Sequence, residues 1–487
     1  MSGTTVAVDP QLGSGLVQIP LEILIRITYF ISTKDLGSVR LTCKALEQSL
    51  FNFFSHEFFR KKQFMVTSDS LQALIDISQH PSLSTFLKHV IITADRPSAA
   101  HWVADRNNEA RARLELANAD HLHLMATGGL RDMLAEAFAK LPNLETVDIR
   151  DFNAHSRNRD GRGTQWRSWG ATTLAATTNA PVTSMPRMDH DPYSSQLFCA
   201  VTAALAAAQA RPKSLEVLIR SSSWMTFGLH DTAFYFPPRI EASMASLLAN
   251  LKSLHLTLAL THNARMRPFM LQKFLSLATN LTWLRLNFEN TGVLEQEELF
   301  SWLALKDTQS PSAPFDMDPV QLSHLERLDL GSVEIKPGTL LGLVAKFTPT
   351  LTSLYLRRVS LFDPENRDRT TKTNPWERCL SALCRLRGLD LRVLDFSQIT
   401  HSYDGFKGNV TFKTSDTASG VPSRDWRCCT NLVTLDKAIA QAVAAMVPEM
   451  PKAPDPDAMD EDNSEEEDED DEEESDGEGE DDGEDDS

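Results

Sequence analysis

Cysteine is scarce in this chain: Cys43, Cys199, Cys379, Cys384, Cys428 and Cys429 are the six in 487 residues. None stands in the CxxC pairing that a structural zinc site needs, so reduced thiols buried as small hydrophobes are the expectation. Long apolar runs are missing as well. No stretch of about eighteen apolar residues could cross a bilayer, and no basic start leads into an apolar run and a small-residue cleavage site. A soluble, intracellular protein of the cytoplasm, the nucleus or both is expected, with no membrane partner. Under that reading the sequons at Asn280 and Asn409 are chance matches.

Catalytic signatures are equally lacking. There is no GxSxG elbow, no GxxxxGK[ST] phosphate loop, no HExxH helix and no GxGxxG after a strand. A non-catalytic protein without cofactor or metal is therefore expected. His121 and His123 are spaced for one face of a strand but have no further ligands nearby.

The overall charge of −19 belongs to one end of the chain. Residues 455–487 hold 23 Asp or Glu and no Lys or Arg, which leaves 44 acidic against 48 basic residues in the body. Such a segment, without aromatics, cannot collapse into a core, so disorder is expected from Pro448 onward. It could engage basic proteins, screen the mildly basic body or aid solubility. Ser464 and Ser475 each have Glu at +3, the pattern that acidophilic kinases prefer, and are candidate phosphosites.

At the other end, Ile19 to Lys44 reads IPLEILIRITYFISTKDLGSVRLTCK. Pro20 suits a helix start, and Ile19, Ile23, Leu24, Ile27 and Ile31 form one helical stripe. Ser32 and Asp35 have capping-box spacing, and Leu36, Val39, Leu41, Cys43, Leu46 and Leu50 supply the next apolar positions. Two further helices are expected. Phe51, Phe53, Phe54, Phe58 and Phe59 leave apolar surface on more than one face, so the unit needs something to pack against.

After these helices an LxxLxL phrase recurs: LKHVII from Leu87, LETVDI from Leu144, LKSLHL from Leu251, LTWLRL from Leu281, LERLDL from Leu325, LTSLYL from Leu351 and LRGLDL from Leu386. Weaker copies begin at Leu215 and Leu432. The clearest lie 30, 44, 26 and 35 residues apart. Helix-compatible stretches separate them at Ile240 to Leu251, Phe269 to Leu277, Leu294 to Leu305, Leu340 to Phe347 and Trp376 to Leu386. Each unit reads as strand plus helix, and such units stack into a curved solenoid lined by short parallel strands.

Two stretches break the pattern. Residues 153–192 have little apolar period and read as a long mobile insertion, with Arg157, Arg159, Arg162 and Arg167 beside Trp166 and Trp169. That mixture can bind nucleic acid but is more often a solvated loop, so nucleic acid is not an expected partner. His401 to Trp426, with Val410 and Phe412 alternating, reads as a hairpin.

The N-terminal phrase, from Ile19-Pro20-Leu21-Glu22-Ile23-Leu24 through Lys34-Asp35-Leu36 to Arg40-Leu41 and Cys43-Lys44, resembles an F-box. Ile19 stands for the usual opening leucine, and Leu46 where many members carry tryptophan. With the repeats, the chain looks like a fungal-type F-box protein with degenerate leucine-rich repeats, although the Asn or Cys that follows LxxLxL in regular forms is absent.

The resemblance implies an α/β fold: a three-helix F-box over 16–62 after a disordered 1–15, linker helices and first degenerate repeats over 63–152, the insertion over 153–192, a repeat solenoid over 193–447 and the acidic tail over 448–487. It implies docking on a Skp-type adaptor, and through it a cullin, while the repeats hold a protein substrate. Ile19, Pro20, Leu21, Glu22, Ile23, Leu24, Ile27, Leu36, Val39, Leu41 and Cys43 are the candidate adaptor-binding residues. Strand residues alternating with the leucines, Trp283, Arg285, Asn287, Arg327, Tyr355, Arg357 and Arg392, with Asp329 and Asp390, are candidates for the substrate face. The alternative is a repeat scaffold or histone chaperone that uses its acidic tail on basic proteins.

Overall fold

The computed structural model describes residues 15–97, 108–153, 158–160, 168–178, 192–220, 228–260, 268–289, 291–306, 318–362, 374–403, 406–413, 422–429 and 434–450. The candidate phosphosites Ser464 and Ser475, together with Arg157, Arg162, Arg167 and Trp166, lie outside them.

The chain opens on three helices, α1 (Leu21–Thr28), α2 (Thr33–Thr42) and α3 (Lys44–Phe59). Pro20, with φ −53°, sits just before α1, and its carbonyl accepts from the amides of Ile23 and Leu24 at 3.0 Å each. The Ser32 hydroxyl accepts from the Asp35 amide at 3.1 Å and donates to the Asp35 carboxylate at 2.8 Å, the capping contact that its spacing implied. Cys43 turns extended between α2 and α3. Leu24, Leu36, Leu46, Leu50 and Phe58 close a small core of their own.

Arg60 then leads straight from α3 into a mixed α/β layer structure built on one sheet. Its strands are β1 (Lys61–Phe64), β2 (His89–Thr93), β3 (Thr146–Arg150), β4 (Ser214–Leu218), β5 (Ser253–Leu258), β6 (Trp283–Phe288), β7 (Arg327–Ile335), β8 (Ser353–Phe362) and β9 (Val393–Ser397), each parallel to the next in chain order. Four more close the far end: β10 (Thr400–Tyr403), β11 (Phe406–Phe412), β12 (Asp425–Cys429) and β13 (Met446–Pro448). β10 runs parallel to β8 and turns into β11 as an antiparallel hairpin. β12 pairs antiparallel with β9, and β13 with β11. Thirteen strands are thus joined among the described residues.

The leucine phrase explains the sheet. Parallel strands need covered crossovers, and in each clear copy the three apolar positions are buried in one continuous core with the intervening helices: Leu251, Leu254 and Leu256; Leu281, Leu284 and Leu286; Leu325, Leu328 and Leu330; Leu351, Leu354 and Leu356. The helices fall where the apolar stretches placed them, at Glu241–Asn250, Phe269–Leu277, Val293–Ala304, Pro337–Phe347 and Pro375–Leu383.

Several expectations need correction. The sheet starts at Lys61 and passes through β2 and β3 without a break, so 193 marks no structural boundary. In the last clear repeat, Leu391, Leu394 and Phe396 fill the core positions rather than Leu386, Leu389 and Leu391. Gly388, at φ +83°, interrupts the earlier phrase with a left-handed turn that a strand does not accept. Leu215 occupies the middle position of its strand, paired with Val147 and Leu254, and Pro212 stands where the first leucine would be. Leu432 lies outside the described residues, and Leu435 of its phrase opens a helix, Leu435–Ala445. His121 and His123 sit on a helix, Asn108–Thr127, whose Ala, Leu, Glu and Arg are strong helix formers. The described parts of 153–192 are packed, not free.

Candidate functional site

The helical unit divides its apolar residues in two. Leu24 and Leu36 lie in its core, and so do not present surface to a partner; Ile19, Val39 and Cys43 pack half-buried against that core. Glu22 and Pro20 are exposed, as are Leu21 (45 %), Ile23 (50 %), Ile27 and Leu41 (87 %). Phe30, just past α1, is 83 % exposed. Sequence reasoning missed it, although Ile23, Ile27 and Phe30 follow i, i+4, i+7 spacing. Neighbouring Tyr29 packs edge-on against Phe53, with ring centroids 5.4 Å apart.

This unit is held from behind by the segment expected to be loose. Arg159, only 4 % exposed, donates through Nε and an Nη to the two carboxylate oxygens of Glu57 on α3, at 2.8 and 2.6 Å. Its other Nη reaches the carbonyl of Thr28, the last residue of α1, at 2.7 Å and that of Ile31, in the link to α2, at 3.3 Å. Asp160 accepts from the backbone amide of Thr33 at 2.8 Å and from its hydroxyl at 2.6 Å, at the start of α2. Trp169 then pairs with Phe64 of β1. Arg159 and Asp160 therefore tie the three helices to one another.

On the sheet, residues alternating with the leucines form polar rows on the opposite face. The register aligns Trp283, Arg327 and Ser353; Arg285, Asp329, Tyr355 and Asp395; and Asn287, Gly331, Arg357 and Ser397. Six of the seven candidate substrate residues are thus brought together. Arg392 is not: it precedes β9, exposed and held by Asp390 at 3.3 Å, because the true strand begins one residue later. Arg327 donates two hydrogen bonds of 2.8 Å to Asp329, and its guanidinium carbon lies 3.9 Å from the Trp283 ring centroid and 4.0 Å from that of Tyr355. Asp395, which forms a 3.5 Å ion pair with Arg427, and His255, whose ring meets that of Trp283 at 4.2 Å, were missed. Correct alternation along LRVLDF and LKSLHL would have found both.

Toward β2 the same face becomes buried and charged. Arg150 contacts Asp148, which also receives His89 Nε2 at 3.3 Å, and Glu216 accepts from the Ser214 hydroxyl at 3.0 Å beside His255 at 3.8 Å. Burial, helped by the Lys61 ammonium, depresses His89 to about 3. At neutral pH its contact with Asp148 is accordingly a hydrogen bond of a neutral ring. Burial works against the Glu216 carboxylate, but His255 and Ser214 outweigh it and bring the group down to about 2. Arg150 falls to about 10 through burial, opposed by Glu216.

Among the described residues no three His, Cys, Asp or Glu are grouped to hold a metal, and no helix is long and apolar enough to cross a membrane. Burial pushes the Cys379 thiol up to about 12 and raises those of Cys199 and Cys384, which makes these thiols poor nucleophiles. His121 is buried on the carbonyl of Val66 at 3.0 Å, a satisfied core histidine. The arrangement offers an apolar helical surface and a cationic, aromatic sheet surface, both suited to binding. The chain matches no family model and no curated protein.

Proposed function

We propose that this chain is the non-catalytic substrate-recognition subunit of a Skp–cullin–F-box type ubiquitin ligase, acting in the cytoplasm or nucleus. In this reading α1 to α3 are the F-box, and the exposed face of Ile23, Ile27, Phe30 and Leu41 docks on a Skp-type adaptor that joins it to a cullin. The strand–helix units after Lys61 are an irregular leucine-rich-repeat array, and the polar rows around Trp283 and Arg327 hold a protein substrate. Ubiquitin transfer belongs to other subunits and is promoted here by proximity.

The observation that carries the reading is the division of the helical unit: a complete core of its own beneath, and large aliphatic and aromatic side chains left in water above. Side chains such as these favour burial by roughly 1.5 to 3 kcal/mol each. The F-box-like order of residues in the sequence supplies the partner's identity.

The test is capture of purified Skp-type adaptor and cullin by the full chain beside an Ile23→Asp, Ile27→Asp variant. Both positions are exposed, so the fold should survive. Capture weakened by about 100-fold or more in the variant supports the reading; no capture by the unaltered chain ends it.

A further inference from the structure

The polar face gathers more positive charge than it neutralises. Arg285 of β6 and Arg357 of β8 stand two strands apart, on either side of the Asp329–Gly331 segment of β7, and Arg220 follows β4 nearby. Of the acids in these rows, Asp329 has both oxygens engaged by Arg327 and Asp395 is paired with Arg427. Neither Arg285 nor Arg357 has a side-chain hydrogen bond or ion pair with another described residue. Burial lowers Arg285 from the usual guanidinium value; Asp329 opposes the shift, while Arg357, Arg220 and Arg327 add to it. Glycine at 331 leaves room for the Asn287 amide, which leans across β7 between them. Clustered guanidiniums with spare donors, one of them half-buried, are an anion-binding arrangement.

The densest anionic segment in this protein is its own. Glu449 is pinned beside β11, its amide donating to the Asn409 carbonyl at 2.8 Å and its carboxylate accepting from the Asn409 side chain at 3.0 Å. From there to Asp455 is six residues, with a reach of about 20 Å. Glu449 follows β13 on the outer side of β11, and from there across β11 and β10 to β8 is three strand spacings, about 15 Å. The acidic run thus begins within reach of Arg357 on β8, its later residues can extend over β7 and β6, and it brings 23 carboxylates and no competing cation.

We propose that residues 455–487 bind in cis across the arginine cluster of Arg220, Arg285, Arg327 and Arg357, so that any other anionic ligand of this face must displace them. A tethered segment acts at an effective concentration in the millimolar range, enough to mask the face against a weaker ligand in solution. A basic protein that captures the tail would unmask it. This inference rests on charge and reach, and not on docking of α1.

The test uses a fluorescein-labelled peptide of residues 455–487 as probe. Two full-length chains are compared: the natural one, and one in which every Asp and Glu of 455–487 is replaced by Asn or Gln at unchanged length. The neutral-tail chain should bind the probe about tenfold or more tightly than the natural chain, with affinity falling as salt rises. Adding Arg285→Ala and Arg357→Ala to the neutral-tail chain should reduce binding about tenfold, with an unchanged melting midpoint. Should that pair disturb folding, Arg357→Ala alone, at an exposed position, should still weaken the probe severalfold. Equal affinity for the natural and neutral-tail chains, or binding indifferent to Arg357, overturns the proposal. Adaptor capture through Ile23 and Ile27 is unaffected by either result.

Discussion

Arg159 and Glu57 face each other as a fork on a carboxylate, 2.6 and 2.8 Å apart, and almost all of the guanidinium is out of water. The two residues are 102 positions apart in the chain. Removing one partner of a buried pair leaves the other unpaired, which costs more than the pair contributes.

Glu57→Ala should therefore destabilise the three-helix unit by about 3 kcal/mol, since it strands the buried arginine. Arg159→Ala should cost less at Glu57, which is nearer solvent, but also frees the carbonyls of Thr28 and Ile31. Hydrogen exchange is the measurement. Protection should fall in α1 and α2 in both variants, while amides of β5 to β8 keep theirs; equal loss throughout would mean that the unit and the sheet unfold together.

That contact marks the limit of what the sequence discloses. The clear LxxLxL copies place six strands, β2, β3 and β5 to β8, because three aliphatic residues at fixed spacing on a parallel strand demand a covered face. The helices between follow from their apolar period. By contrast, Arg159 and Asp160 lie in a polar stretch with no period at all, and their partners are more than 100 residues away. β1 is equally silent, since Lys61, Lys62 and Gln63 precede the fully buried Phe64. The LRGLDL phrase from Leu386 overlaps LRVLDF from Leu391, and the left-handed glycine at 388 excludes the first from a strand. Of the candidate sites, the sheet residues were legible through strand alternation. The split of the helical unit into core and surface was not, because Leu24 and Ile27 share one apolar stripe and only the packing of α3 separates them.

Neighbouring strands repeat a left-handed residue at the same level. Ser332, Arg358 and Gln398 all have φ of 53°, directly after the aligned Gly331, Arg357 and Ser397. A side chain in this region costs about 1 kcal/mol or more, and glycine removes that strain while adding a smaller unfolded-state entropy. Ser332→Gly should accordingly stabilise the protein by about 0.5 kcal/mol. Gly331→Ala, one residue earlier, should destabilise it by about 1 kcal/mol, because the new Cβ displaces the Asn287 side chain. Denaturant midpoints of the two variants, of opposite sign, check the pair.

Acid should weaken the fold through the buried end of the polar face. His89 binds its proton at about 3 in the folded chain against an ordinary 6.5, so between these values the unfolded chain holds a proton that the folded chain does not. Glu216, at about 2 against 4.5, acts in the same sense at lower pH. Stability is therefore full above pH 6.5 and falls as pH drops, by up to about 1.4 kcal/mol per unit from His89 alone. His121 and His401, both lowered by burial, add to the slope. Urea unfolding at pH 7, 6 and 5 should show the decline, and His89→Asn should flatten it by close to one proton; an unchanged slope in that variant would place the titration elsewhere.

The stack of Trp283, Arg327 and Tyr355 makes the last prediction. Arg327 is held by a two-point contact with Asp329 and lies between two aromatic rings, roles that a lysine ammonium cannot reproduce because it lacks both the planar fork and the flat face. Arg327→Lys retains the charge, so any loss reports geometry. A destabilisation of about 1 kcal/mol is expected. Repeating the substitution in a Trp283→Ala background should give a smaller loss, since half of the stack is then already gone. A coupling of about 0.5 kcal/mol between the two positions fits the stacked arrangement, and strict additivity would mean that the rings contribute nothing beyond burial.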